Sequence, residues 1–71
     1  MTPNEVRQWV DEAQAGECRT YFTGSSLMYA PRSIREGART LLDLATMEPP
    51  LVHLTQRRTA SGFNFIATRA R

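Results

Sequence analysis

Apolar residues recur near the start of the chain at Val6, Trp9, Val10 and Ala13. That spacing puts side chains on one stripe of an α-helix. Thr2-Pro3-Asn4-Glu5 just ahead carries the signals of a helix start. Thr2 offers a capping hydroxyl, Pro3 suits the first helical position, and Glu5 completes a capping box. Gly16 is a natural stop, so the pattern predicts a helix over about 3–15. Cys18 to Thr23 then reads as a short strand, because Thr20, Tyr21, Phe22 and Thr23 are β-branched or aromatic. Strict alternation would point Cys18, Thr20 and Phe22 one way and Arg19, Tyr21 and Thr23 the other, with Phe22 inside. Gly24-Ser25-Ser26 breaks the strand. Leu27, Met28 and Tyr29 have room for a single helical turn before Pro31, which forbids a long helix through it.

The strongest helical pattern follows. Ser33-Ile34-Arg35-Glu36 reads as a second capping box. Ile34, Ala38, Leu41, Leu42 and Ala45 fall within one arc, with Arg32, Arg35, Glu36, Arg39 and Asp43 on the opposite face. The helix should stop near Thr46 or Met47, ahead of Pro49-Pro50. Residues 51–58 and 63–69 alternate as two strands of a hairpin around Thr59-Ala60-Ser61-Gly62. The expected core joins Val6, Trp9, Val10, Phe22, Leu27, Ile34, Leu41, Leu42, Val52, Leu54, Phe65 and Ile66. The whole of 1–71 therefore reads as one α+β domain, winged-helix-like. Its order is helix, strand, short turn, helix, strand, strand, with a small antiparallel sheet packed on two helices. One departure is plain: a helix-turn-helix needs two helices before the wing, and here the first shrinks to one turn.

Size and composition narrow the chemistry. A chain of 71 residues buries only about 60% of its unfolded surface. One cysteine and one histidine exclude an internal disulfide and a Cys/His metal cage. No apolar run is long enough to span a bilayer, no signal pattern opens the chain, and a reducing cytoplasm is the expected location. Charge is uneven. Residues 1–17 hold Glu5, Asp11, Glu12 and Glu17 against Arg7 alone, whereas residues 49–71 hold Arg57, Arg58, Arg69 and Arg71 and no acid. A basic C-terminal third points to an anionic partner. All nine basic residues are arginine, the better fork for phosphate, although a GC-rich genome gives the same bias.

Candidate chemistry is sparse. Cys18 and His53 would need an orienting group and an oxyanion site to act as a nucleophilic pair; a small buried apolar strand residue and a surface histidine are the plainer assignments. Asp11 and Glu12 diverge by 100° on a helix and share no site. Gly16, Gly24, Gly37 and Gly62 have no phosphate-loop spacing. No catalytic residue, metal or cofactor is expected. The arginines are the remaining constellation. Arg32, Arg35 and Arg39 lie on the outer face of the second long helix, where Arg can fork to guanine O6 and N7 in a major groove. The competing assignment is intrahelical pairing of Arg32 with Glu36 and Arg39 with Asp43. Arg57 and Arg58 sit near the hairpin tip, suited to phosphates or a minor groove, or to guarding a strand edge. Arg69 and Arg71 read as a frayed basic tail. Tyr21 and Tyr29 are candidate interface aromatics.

Val52-His53-Leu54-Thr55-Gln56-Arg57-Arg58 and Gly62-Phe63-Asn64-Phe65-Ile66-Ala67-Thr68-Arg69 resemble a group of short phage and prophage proteins of proteobacteria. In that group a Tyr-x-x-Gly-x-Leu segment precedes the long helix; Tyr21-Phe22-Thr23-Gly24 and Leu27 look similar, with one extra residue before the leucine. The resemblance covers roughly residues 18–69 and implies a mobile-element origin without catalysis. The expected function is a transcriptional regulator binding double-stranded DNA, working as a homodimer on a two-fold site. The alternative is an inhibitor that binds a host protein complex, as anti-CRISPR proteins do. Neither reading involves a membrane.

Overall fold

The computed structural model describes residues 1–71 and has two α-helices and three strands. In chain order these are α1 (Pro3–Glu12), β1 (Cys18–Gly24), a 3-10 turn (Leu27–Tyr29), α2 (Arg32–Thr46), β2 (Val52–Thr59) and β3 (Gly62–Arg69). The sheet is antiparallel in the order β1-β3-β2, with the last strand in the centre. Both helices pack against one face, as a small antiparallel sheet requires for stability.

α1 begins as its sequence dictates. The Glu5 amide donates to Thr2 Oγ1 at 3.3 Å, and the Thr2 amide donates to Glu5 Oε1 at 2.8 Å. The helix stops at Glu12, earlier than Gly16 suggested. Gly16 instead makes the turn into β1 with a φ of 89°, a left-handed value that suits glycine, and its amide donates to the Arg69 carbonyl at 2.7 Å. The 3-10 turn is the single turn expected for Leu27–Tyr29; Ser26 caps it, its Oγ accepting from the Met28 amide at 3.2 Å.

α2 does not use the expected second capping box. Its N-cap is Pro31, without a side-chain cap, and Ser33 already lies inside the helix. Proline fixes φ near the helical value, and its carbonyl accepts from the amides of Ile34 and Arg35, both at 3.0 Å. The first turn is thereby closed without the serine.

The core is Val6, Trp9, Val10, Tyr21, Leu41, Val52, Phe65 and Ala67. Leu27, Leu54 and Phe22 pack partly buried against it. The observed core departs from the expected one. Ile34, in the first turn of α2, is only partly buried and lies outside the cluster. Leu42 is 50% exposed, because it lies at the margin of the arc centred on Leu41. Ile66 pairs with Thr20 and Thr55 on the uncovered face of the sheet, one residue out of phase with buried Phe65 and Ala67. Tyr21, rather than Phe22 alone, enters the core because the β1–β3 register shifts between Thr20 and Phe22. This bulge turns consecutive side chains toward the same side. Tyr21, Phe22 and Phe63 then surround Phe65 with ring centroids 6.3, 5.9 and 6.2 Å away, within the range of tilted aromatic pairs.

Candidate nucleic-acid interface

The five arginines expected to form a site lie on two elements, α2 and the hairpin. α2 is anchored by fully buried Leu41. Helical geometry then directs Arg32, Arg35 and Arg39 outward, and all three are exposed. With Glu36 they line an open depression of about 320 Å³. Arg32 is tied up: its Nε donates to Glu36 Oε1 at 3.0 Å. That pair is 86% and 54% exposed, so its contribution to stability is small. The other expected pair does not form, and Arg35 and Arg39 have no salt bridge. They stand one turn apart on the same face of the helix.

The hairpin separates its two arginines. Arg57 lies opposite Asn64, and Arg58 opposite Phe63. Alternation from buried Val52 puts Leu54, Gln56 and Arg58 on the helix-bearing side of the sheet, and His53, Thr55 and Arg57 on the other. The expectation of one arginine cluster at the hairpin is therefore corrected: adjacent residues of a strand diverge. Only Arg58 shares a side of the sheet with α2. The two-residue turn Ala60-Ser61 also sits at the end of the sheet from which the chain enters α2. A Cβ on Gly62 would come within 2.7 Å of the Gly24 carbonyl oxygen, so glycine is needed for this approach of the hairpin to the end of β1. The 3-10 turn and α2 follow directly from that point.

Arg69 is not part of a frayed tail. Its Nε donates to the Val10 carbonyl at 3.1 Å and its Nη1 to the Leu51 carbonyl at 3.1 Å. It thus satisfies a carbonyl in the last turn of α1, where a positive charge is also favoured by the helix dipole. Arg71 is exposed and makes one longer contact, from Nη2 to the Pro49 carbonyl at 3.3 Å. Arg19 shares a depression with Glu5, Gln8, Trp9 and Glu12 of α1, so its charge faces carboxylates.

The uncovered face of the sheet holds Cys18 and His53, each opposite Thr68 of the central strand. Strands two apart are separated by roughly 9–10 Å, too far for a hydrogen-bonded Cys–His pair. Cys18 is exposed on this face rather than buried, and its Sγ lies 3.3 Å from Thr68 Oγ1. Nowhere do three His, Cys, Asp or Glu side chains converge. No helix is long and apolar enough to cross a membrane.

Fold and surface together define a small α+β domain with arginines free of carboxylate partners on the outer face of α2 and at the β2–β3 hairpin, besides Arg7 on α1 and Arg71 after β3. No family model matches the chain, nor does any curated protein or solved structure, so the functional reading rests on this geometry.

Proposed function

We propose that this is a non-catalytic, winged-helix-like domain of phage type that binds double-stranded DNA as a transcriptional regulator. α2 serves as the groove-facing helix and the β2–β3 hairpin as the wing. The order helix, strand, turn, helix, strand, strand supports this reading, as does a sheet with β1 and β2 flanking β3. The observation that carries it is the pair Arg35 and Arg39, exposed and without a carboxylate partner on the outer face of α2. Two guanidiniums one helical turn apart suit successive guanines or phosphates along a major groove. Arg58 supplies the backbone contact from the wing. Arg57, on the far side of the sheet, takes no part in the same duplex contact.

Fluorescence anisotropy with labelled duplexes at low and physiological salt tests this. Arg35→Ala with Arg39→Ala should weaken binding at least tenfold. Arg58→Ala should weaken it uniformly across sequences and lower the salt slope by about one. Arg57→Ala should leave both affinity and slope unchanged. Duplex binding that is absent, or untouched by loss of Arg35 and Arg39, would remove the proposal.

The second reading, an inhibitor docked on a host protein complex, is favoured by a different observation. Met28 and Tyr29 are 78% and 79% exposed on the turn before α2, and large side chains of this kind are enriched in protein interfaces. It predicts a stable stoichiometric complex with a protein and negligible affinity for free duplex.

A further inference from the structure

β2 is an edge strand whose only partner is β3. It pairs without interruption through all eight of its residues, from Val52 opposite Arg69 to Thr59 opposite Gly62. In an antiparallel ladder alternate residues direct their N–H and C=O groups away from the partner, so β2 presents a regular row of unpaired backbone groups. The opposite edge, β1, is broken by the register shift between Thr20 and Phe22, which spoils it as a template. β2 contains no proline and no acid, and its exposed His53, Arg57 and Arg58 are the only titratable groups along it. On its helix-bearing side lies an open, largely apolar depression of about 280 Å³ lined by Tyr21, Leu27, Leu54 and Phe65, with Thr55 and Gln56 of β2 itself.

We infer that the free edge of β2 and this depression together dock an extended, acidic segment of a partner protein. The segment adds a fourth strand beside β2. It lays one apolar side chain over Leu54 toward the depression and sets carboxylates across from Arg57 and Arg58. Backbone pairing provides affinity in such strand addition, and the alternate side chains provide selectivity. Opposite charges directly across a strand pair are favourable, and like charges are not. Charge therefore chooses the occupant. A second copy paired through its own β2 would bring the arginines and histidines of both copies onto one ribbon with no carboxylate among them. A nucleic acid has no peptide ladder to offer an edge strand. This inference goes beyond the DNA reading because it uses β2 and leaves α2 free. Arg57, which the DNA reading makes silent, separates the two.

The test uses the full chain, labelled with ¹⁵N. The probe is a fluorescein-tagged, capped peptide of about ten residues alternating Val and Thr, with one Leu and three Glu. The expected result is saturable binding that weakens with salt. Amide exchange should slow along β2, with shift changes at Leu27 and Leu54. Arg57→Glu with Arg58→Glu changes only exposed side chains; with the fold verified by circular dichroism, it should weaken binding by about tenfold or more. The same variant should then accept the matching peptide carrying Lys in place of Glu, a rescue that mere unfolding cannot produce. Three results would overturn the inference. One is no saturation by millimolar peptide. Another is a response confined to α2, or given by duplex DNA in place of the peptide. The third is protection of the β2 amides in the free protein that grows with concentration, which would assign the edge to a second copy.

Discussion

Removing the Arg69 guanidinium tests whether the C-terminal strand is a structural clasp. Arg69 donates side-chain hydrogen bonds to the carbonyls of Val10 and Leu51, each at 3.1 Å. Its own amide donates to the Glu17 carbonyl at 2.8 Å. One residue therefore ties the end of α1, the turn before β1 and the entry to β2 onto the central strand. Arg69→Met keeps the aliphatic stem beside Val52 and deletes both charged donors. Hydrogen bonds from charged groups are worth about 1.5–3 kcal/mol each, already net of exchange with water, so the lower end for the pair is about 3 kcal/mol. These two bonds are only partly buried, and solvent screening brings the expected cost to about 2 kcal/mol. A domain of this size loses roughly 4–8 °C in Tm per kcal/mol, so the midpoint should fall by about 10 °C. Thermal and urea unfolding followed by far-ultraviolet circular dichroism measure it. Arg71→Met, which deletes one exposed contact to the Pro49 carbonyl, is the control and should stay within about 0.5 kcal/mol of the parent. If Arg69→Met also stays within that margin, the clasp has no energetic weight. Arg69→Met should in addition leave the salt slope of DNA binding unchanged, because both its donors face inward.

Two further predictions rest on burial. Leu41→Ala removes a fully buried side chain and should cost about 3 kcal/mol, most of the stability of a domain this small, whereas Leu42→Ala, half exposed, should cost under about 1 kcal/mol; equal losses in urea melts would misplace the face of α2. Burial raises the pKa of Tyr21 above the ordinary phenol value of 10.0. The sign follows from a folded value above the unfolded one: the stability tied to the neutral phenol is complete below the unfolded value and is lost as pH rises through the folded value. Alkaline titration of a Tyr29→Phe variant, read by phenolate absorbance, should show Tyr21 ionising late and together with loss of structure. Tyr21→Phe should flatten that alkaline loss, and an unchanged alkaline profile would refute the assignment.

Periodicity carried most of the architecture. The stripes Val6-Trp9-Val10 and Ile34-Ala38-Leu41-Ala45 announce two helices, and the alternation of Val52-Leu54 and of Phe63-Phe65-Ala67 announces a hairpin. These patterns are legible because burial on one face imposes a period of 3.6 or 2 on the sequence itself. The errors fall where a local rule met a tertiary one. Ser33 with Glu36 is a sound capping box by composition, but Pro31 had already fixed the backbone that starts the helix. Tyr21 looks like an outward residue by alternation, and only its pairing against β3 reveals the bulge that turns it inward. Register across strands is a relation between segments distant in the chain, and composition of one segment does not encode it.

The site was legible in a different sense, since the rule that corrects it was already available. Alternation alone separates Arg57 from Arg58. It also sets Arg69 on the same side as Phe65 and Ala67, which makes a solvated tail the less natural reading of that arginine. Counting charges along the chain hides this, because a strand sends neighbouring charges to opposite faces while a helix gathers charges three or four apart. By the same rule Arg35 and Arg39 do lie together on α2, and no acid has captured them. Of nine arginines, Arg69 binds carbonyls, Arg32 binds Glu36 and Arg19 faces the carboxylates of α1. The other six arginines have no carboxylate partner, and the DNA proposal depends on three of them, Arg35, Arg39 and Arg58. Its decisive comparison is Arg35→Ala with Arg39→Ala against Arg57→Ala: a general electrostatic attraction would respond to both, and a groove-facing helix only to the first.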